Sequence, residues 1–187
     1  RSGLHVKMSR MTNLEFPCGF RRLANGNTLI SDAGEAGGNG SKILEVSRDG
    51  EIEWSWERGL DFAHSVVELE GESLLIADTT NNRILEVHRD GRTLLSSDSW
   101  SDGTGALSDG SHLHYPNNAV PTEEGDFMIT DRNNDRFVVA DRTGKIVRAY
   151  DEAIRHPHNC EPLPDGHVMI ADSDNNRAVE IDGSGRV

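Results

Sequence analysis

Four stretches of this chain run the same course, and that repeat limits the fold more than any other feature. Each opens on an aromatic or histidine residue, passes through proline or alanine to a small or polar residue, turns, and ends in a short apolar run that stops on aspartate. The stretches are 16–32, 62–78, 115–131 and 156–172, and the opening residue and the closing Asp lie sixteen positions apart every time. The closing residues are Asp32, Asp78, Asp131 and Asp172, spaced by 46, 53 and 41 residues. Downstream of the last three, a second pattern repeats: an Asn-rich turn, then Arg83, Arg136 or Arg177, a short strand and a Gly turn. The first unit has a longer loop, 33–41, before its strand at 42–46.

A period of about forty to fifty residues is the signature of a propeller or another repeat architecture. The apolar runs are too short for helices and are bounded by Gly, Asn and Asp, so each unit reads as four short strands. The fourth strand is 51–56 in unit one and 145–150 in unit three. The expected fold is all-β, a single β-propeller domain or partial propeller, with four blades visible at about 14–57, 60–100, 113–150 and 154–187. The one short helical turn expected is 151–154. Unit four lacks an outermost strand, and 4–8 reads as such a strand for some blade. That strand either closes a four-bladed ring, or the chain is part of a larger ring; four-bladed rings are the rarer outcome, so the larger ring is preferred.

Composition excludes several functions. Against 32 Asp+Glu stand 19 Lys+Arg, a net charge of −13. Such a surface repels phosphate backbones unless a basic patch offsets it, and the basic residues are scattered, with Arg21-Arg22 the only adjacent pair. No nucleic-acid partner is expected. No apolar run nears the roughly 20 residues of a membrane span, and no secretory signal is visible, although the sequence starts at Arg1. Cys18 and Cys160 fit no zinc-ligand spacing.

The phrases at 22–32 (Arg-Leu-Ala-Asn-Gly-Asn-Thr-Leu-Ile-Ser-Asp) and 81–91 (Asn-Asn-Arg-Ile-Leu-Glu-Val-His-Arg-Asp-Gly) resemble the arylsulfotransferase-like propellers. The looser NHL repeat is similar too, and the resemblance covers the chain from about Phe16 onward. It implies a six-bladed ring, of which two blades are absent here or come from another chain. It also implies an exported protein, extracellular or periplasmic; the acidity would suit a high-salt environment. The enzymes of the family move a sulfuryl group between phenols through a histidine in the central cavity. A different NHL-type branch, the amidating lyases, holds a metal with histidines at a similar place.

Residues that recur in every blade are explained by the blade. The closing aspartates can accept turn N–H groups, and the arginines that come after them can pair with them. Function is expected where the repeats differ. At the start of the innermost strand, which faces the channel, the units carry Cys18, His64, Asn117 and His158, followed by Gly19, Ser65, Asn118 and Asn159. Three readings stay open. His64 and His158 are catalytic, as imidazoles titrating near neutrality, with Asn117, Asn118, Asn159 and His114 binding substrate; no arginine clearly occupies a channel position. Alternatively His64 and His158 hold a divalent metal such as Zn or Ca, with the third ligand at His114 or in the absent blades, whereas the catalytic reading needs no cofactor. Or the channel mouth holds only water, and the propeller is a non-catalytic module that binds a ligand in its channel or a protein on its long loops, 33–41 and 101–113. Trp54, Trp56 and Trp100 are expected at blade seams. Cys18 and Cys160 lie two positions out of equivalence; strand period two would face them the same way, at disulfide distance if blades one and four were neighbours.

Overall fold

The computed structural model describes residues 14–35, 39–183 and 186; the strand expected at 4–8 lies outside them. The described residues form four antiparallel sheets arranged as a β-propeller, each with its strands in chain order. Blade 1 is β1 (Pro17–Arg22), β2 (Thr28–Asp32), β3 (Lys42–Val46) and β4 (Ile52–Trp56). Blade 2 is β5 (Ala63–Leu69), β6 (Ser73–Asp78), β7 (Arg83–His88) and β8 (Thr93–Ser96). Blade 3 is β9 (Pro116–Pro121), β10 (Phe127–Asp131), β11 (Arg136–Ala140) and β12 (Ile146–Tyr150). Blade 4 has three described strands, β13 (Pro157–Pro162), β14 (Val168–Asp172) and β15 (Arg177–Ile181).

The second strand of each blade is the apolar run read from the sequence, and it is the most deeply buried. All six residues of β6 and all five of β10 are buried, because a blade sits between two others and both sheet faces pack. One apolar cluster fills the seam of blades 1 and 2, with Ile43 and Trp56 against Leu74 and Ile76. A larger one runs from blade 2 through blade 4, around Phe127, Phe137 and Ile129. Burying a side chain of this size contributes about 1.5–3 kcal/mol.

Polar ties cross the seams at one repeated point, the turn between third and fourth strands. The Trp54 indole N–H donates to the carbonyl of Arg89, 2.8 Å away, and that of Trp100 to Arg142, at 3.1 Å. Arg148 does the same to Gly183 at 2.6 Å. Glu45 accepts from Arg89 and Glu86 from Arg142. In the third seam the acid position is Val139 and the arginine position Gly183. Both partners are lost together, as expected where one buried charge alone would be costly.

The closing aspartate is a turn brace. Arg83, Arg136 and Arg177 each place Nε 2.7 Å from Oδ2 of Asp78, Asp131 and Asp172. The other oxygen accepts the backbone N–H of Asp61, His114 or Arg155 at 2.7–2.8 Å. Asn81, Asn134 and Asn175 complete each brace. In blade 1, Asp32 takes the N–H groups of Glu15 and Phe16, and Lys42 stands in for the arginine at 3.4 Å.

That brace also explains a misplaced helix. Residues 151–154 form a plain turn because Ala153 sits at φ 56°, where a right-handed helix cannot continue. Its carbonyl is thereby turned to accept from Asn175 and Arg177. Short helical turns occur instead at Ser97–Ser99, Arg132–Asn134 and Ser173–Asn175.

Candidate functional site

Each innermost strand is irregular at the position that differs between blades. The register slips between Pro17 and Gly19, Ala63 and Ser65, and Pro116 and Asn118, with a wider slip between Pro157 and Cys160. The residues inside the slips include Cys18, His64, Asn117 and His158. A bulge removes a residue from the ladder and re-aims its side chain, and here these residues line two adjoining cavities. In blades 2 to 4 the residue just before the slip is left-handed: Phe62 (φ 58°), Tyr115 (φ 54°) and His156 (φ 44°).

The imidazoles of His64 and His158 meet edge to face, ring centres 4.6 Å apart. The Asn117 backbone lies beside the His64 ring, and both residues line the mouth cavity. Burial, then the neighbouring His158 and Arg132, pushes its pKa down to about 4. Burial and Arg132 lower that of His158 as well. Both rings are therefore neutral at pH 7, with lone pairs free to accept a proton or attack an electrophile.

Two cavities share this pair. The mouth cavity, about 610 Å3, is walled by Phe16, Phe62 and Tyr115 together with Asn117, Arg132 and the two histidines. Phe16 and Phe62 lie 5.6 Å apart, and Phe62 stands 6.4 Å from His64. The channel cavity, about 300 Å3, runs down the inner strands past Cys18, Arg21, Ser65, Asn118 and Asn159, with His64 and His158 in its wall too. Both fall in the range of small-molecule sites, roughly 300–1,000 Å3.

The structure thus brings His64, His158 and Asn117 into the mouth and Asn118 and Asn159 into the channel. His114 does not join them. Its ring packs on Tyr115 at 5.7 Å, and its backbone N–H belongs to the Asp131 brace. Among the described residues the three side chains poised to share a metal ion are Asp165, His167 and Glu180, on the outside of blade 4, rather than His64, His158 and His114.

One correction concerns arginine. Arg132 reaches the mouth cavity and acts on both imidazoles. It directly follows a closing aspartate, where the blades carry Ala33, Thr79, Arg132 and Ser173 in turn. This position varies as fully as the bulge position, and that variation was the signal available in the sequence. The aromatic wall was missed for a similar reason, since Phe16, Phe62 and Tyr115 open the repeat and read as scaffold.

A second correction concerns the cysteines. Both are free thiols. The bulge breaks period two, so Cys160 points into the core and donates to Asn118 Oδ1 at 3.2 Å, whereas Cys18 lines the channel. Burial and the nearby Asp32 push the Cys18 thiol up to about 11, so it stays protonated and is not a nucleophile at neutral pH.

No protein-family model matches the chain, and no curated protein does. Solved structures do. A protein of unknown function from Bacteroides caccae aligns with TM-score 0.67 and 21% identity over 91% of this chain and 65% of its own. A streptogramin B lyase aligns with TM-score 0.67 and 17% identity, over 91% of this chain and 52% of its own. The virginiamycin B lyase of Staphylococcus aureus gives TM-score 0.65 and 18% identity, over 91% and 54%. A histidine-to-alanine variant of that lyase is described as catalytically inactive. The chain therefore spans between about half and two thirds of these structures, and at such identities the likeness establishes the β-propeller fold.

Proposed function

We propose that this propeller binds aromatic anions in its mouth cavity and transfers a sulfuryl group from an aryl sulfate to a phenol. The observation that carries the reading is a pair of neutral imidazoles beside one arginine in an aromatic-walled cavity. The rings of Phe16, Phe62 and Tyr115 suit a planar aryl group, and the Arg132 guanidinium suits the sulfate oxygens. His64 attacks sulfur; the S–N bond forms as the S–O bond to the aryl oxygen breaks, and the phenolate leaves. A second phenol then gives its proton to His158 and takes the sulfuryl group, freeing His64.

The resemblance of the repeat to arylsulfotransferase-like propellers supports this reading, and that resemblance also favours a six-bladed ring for the complete propeller. With 4-nitrophenyl sulfate as donor, the protein should release a burst of 4-nitrophenolate equal to the enzyme present. His64→Asn and His158→Asn should each reduce turnover by at least about 10²–10³-fold with unchanged Tm. Full activity in both variants would sink the proposal.

The lyases among the structural neighbours favour one second reading, a metal-assisted elimination at the same pair. Stoichiometric zinc or calcium in the native protein, released in the His64→Asn variant, would support it over sulfuryl transfer.

A further inference from the structure

We infer that Asp165, His167 and Glu180 form a zinc site on the outside of blade 4, independent of the histidine pair and of any reaction there. The blades share one socket, in which the turn between the first and second strands stands beside the middle of the third. Blade 1 places Asn25 and Asn27 in that turn and Glu45 on β3, opposite Leu29. Blade 4 places Asp165, His167 and Glu180 at the same positions, Glu180 opposite Met169. In blade 1 both amides donate to Oε1 of Glu45, at 3.0 and 2.7 Å, and the Arg89 guanidinium of blade 2 takes Oε2. In blade 2 the Ser73 hydroxyl donates to Oε1 of Glu86 at 3.0 Å, and Arg142 of blade 3 takes Oε2. In both, neutral donors hold one oxygen of the glutamate and a cation takes the other.

Blade 4 keeps the glutamate and changes the donors. A carboxylate replaces the first amide and an imidazole the second, so two groups that donate hydrogen bonds give way to two that offer lone pairs. The turn is closed by the Gly166 N–H on the Leu163 carbonyl at 3.0 Å and the Leu163 N–H on that of His167 at 2.8 Å. Ligand atoms of the three side chains lie within 4.8 Å of one another. Around a tetrahedral zinc with bonds of about 2.0–2.2 Å, they stand about 3.4 Å apart, so small rotations close the set. Asp165 Oδ1 accepts the His167 N–H at 3.1 Å and leaves Oδ2 to bind. His167 Nδ1 and Glu180 Oε1 lie 2.7 Å apart. Zinc replaces the proton between them, which leaves to solvent while the ring keeps its proton on Nε2. Calcium and magnesium favour all-oxygen sets, whereas one imidazole with two carboxylates suits zinc. The ion then does for Glu180 what a guanidinium does for Glu45 and Glu86.

Calorimetric titration with zinc chloride alone, on the full chain freed of metal by a chelator, tests the site. Zinc should bind with a Kd of about 10 µM or below, weaker than at a closed four-ligand site, and calcium should not displace it. Asp165→Asn combined with His167→Asn gives blade 4 the turn amides of blade 1. That double variant should weaken zinc by at least about tenfold with an unchanged metal-free Tm, since blade 1 folds with the same set. Glu180→Gln should weaken it by a similar factor. One equivalent of zinc should survive His64→Asn, which separates this site from a metal at the histidine pair. No zinc binding by the full chain, an unaltered Kd in the double variant, or loss of all zinc in His64→Asn would overturn the site. Should the double variant fail to fold, Glu180→Gln decides, and wild-type zinc affinity there would overturn it equally.

Discussion

The closing-aspartate brace and the bulged ring face each other across the open end of one hairpin, and they behave in opposite ways. At the brace, three blades carry the same Asp, Asn and Arg with the same 2.7 Å contact. At the bulge, the backbone irregularity recurs while the side chains differ, as Cys18, His64, Asn117 and His158. One region repeats its chemistry to hold shape; the other repeats its shape and varies its chemistry. Substitutions should separate the two cleanly.

The largest effect is expected at the brace. Asp131 is fully buried and accepts from Arg136, from Asn134 and from the backbone N–H of His114. Asp131→Ala leaves the Arg136 Nε–H, the Asn134 amide and the His114 N–H without this acceptor, at a cost of about 3 kcal/mol. Urea unfolding measures it, and a loss below about 1 kcal/mol would erase the distinction. The variant also tests whether Arg132, next in the chain, depends on the brace for its position.

Next in size is the acid sensitivity of His64. Unfolded, it binds a proton below about pH 6.5; folded, only below about 4. Between those values the unfolded chain holds more protons, so stability falls as pH drops through this window and levels off below it. The loss is up to about 3 kcal/mol. Burial raises the carboxyls of Asp32 and Asp172, but their backbone and side-chain hydrogen bonds outweigh it and hold both below the ordinary range. Their contribution persists above about 3.8, the ordinary value, and is lost at lower pH. The gap between the urea midpoints at pH 7 and 4.5 should therefore narrow in His64→Asn, the remainder belonging to His158, and an undiminished gap would mean that the His64 ring is not held neutral.

Arg132→Ala should act on binding with little effect on folding. Loss of a charge-assisted contact costs about 2 kcal/mol, which is roughly a thirtyfold rise in the Kd of naphthalene-2-sulfonate, with Tm moved by less than about 2 °C. A fall in Tm comparable to that of Asp131→Ala would place Arg132 with the scaffold. The smallest effect belongs to the seam. Glu86→Gln removes the charge that Arg142 meets, and since that arginine is half exposed the cost is about 1 kcal/mol or less, with no change in ligand affinity.

How far each region is legible in the sequence obeys the same division. The brace is legible because a repeated contact needs repeated residues: Asp, Asn and Arg return at fixed offsets. The bulged ring is half legible. His64 and His158 stand out as polar residues where a core strand would carry Val or Leu, but the register slips leave no mark in side-chain identity, since they belong to backbone hydrogen bonding. That is why period two misdirects Cys160. Arg132 is hidden in plain view, in a turn whose neighbours on both sides are scaffold. His114 shows the converse error: nearness in sequence to a channel residue does not survive a left-handed turn at Tyr115.

The bulge has a consequence for how such chains diversify. Because the slip is written into the backbone, its occupant can be exchanged without rebuilding the blade. Heritable change is thereby split into two compartments, one that preserves foldability and one that explores reactivity. A lineage can pass from thiol to imidazole to amide around the axis one substitution at a time, each intermediate a folded protein, and the four sockets supply a combinatorial alphabet for new pockets.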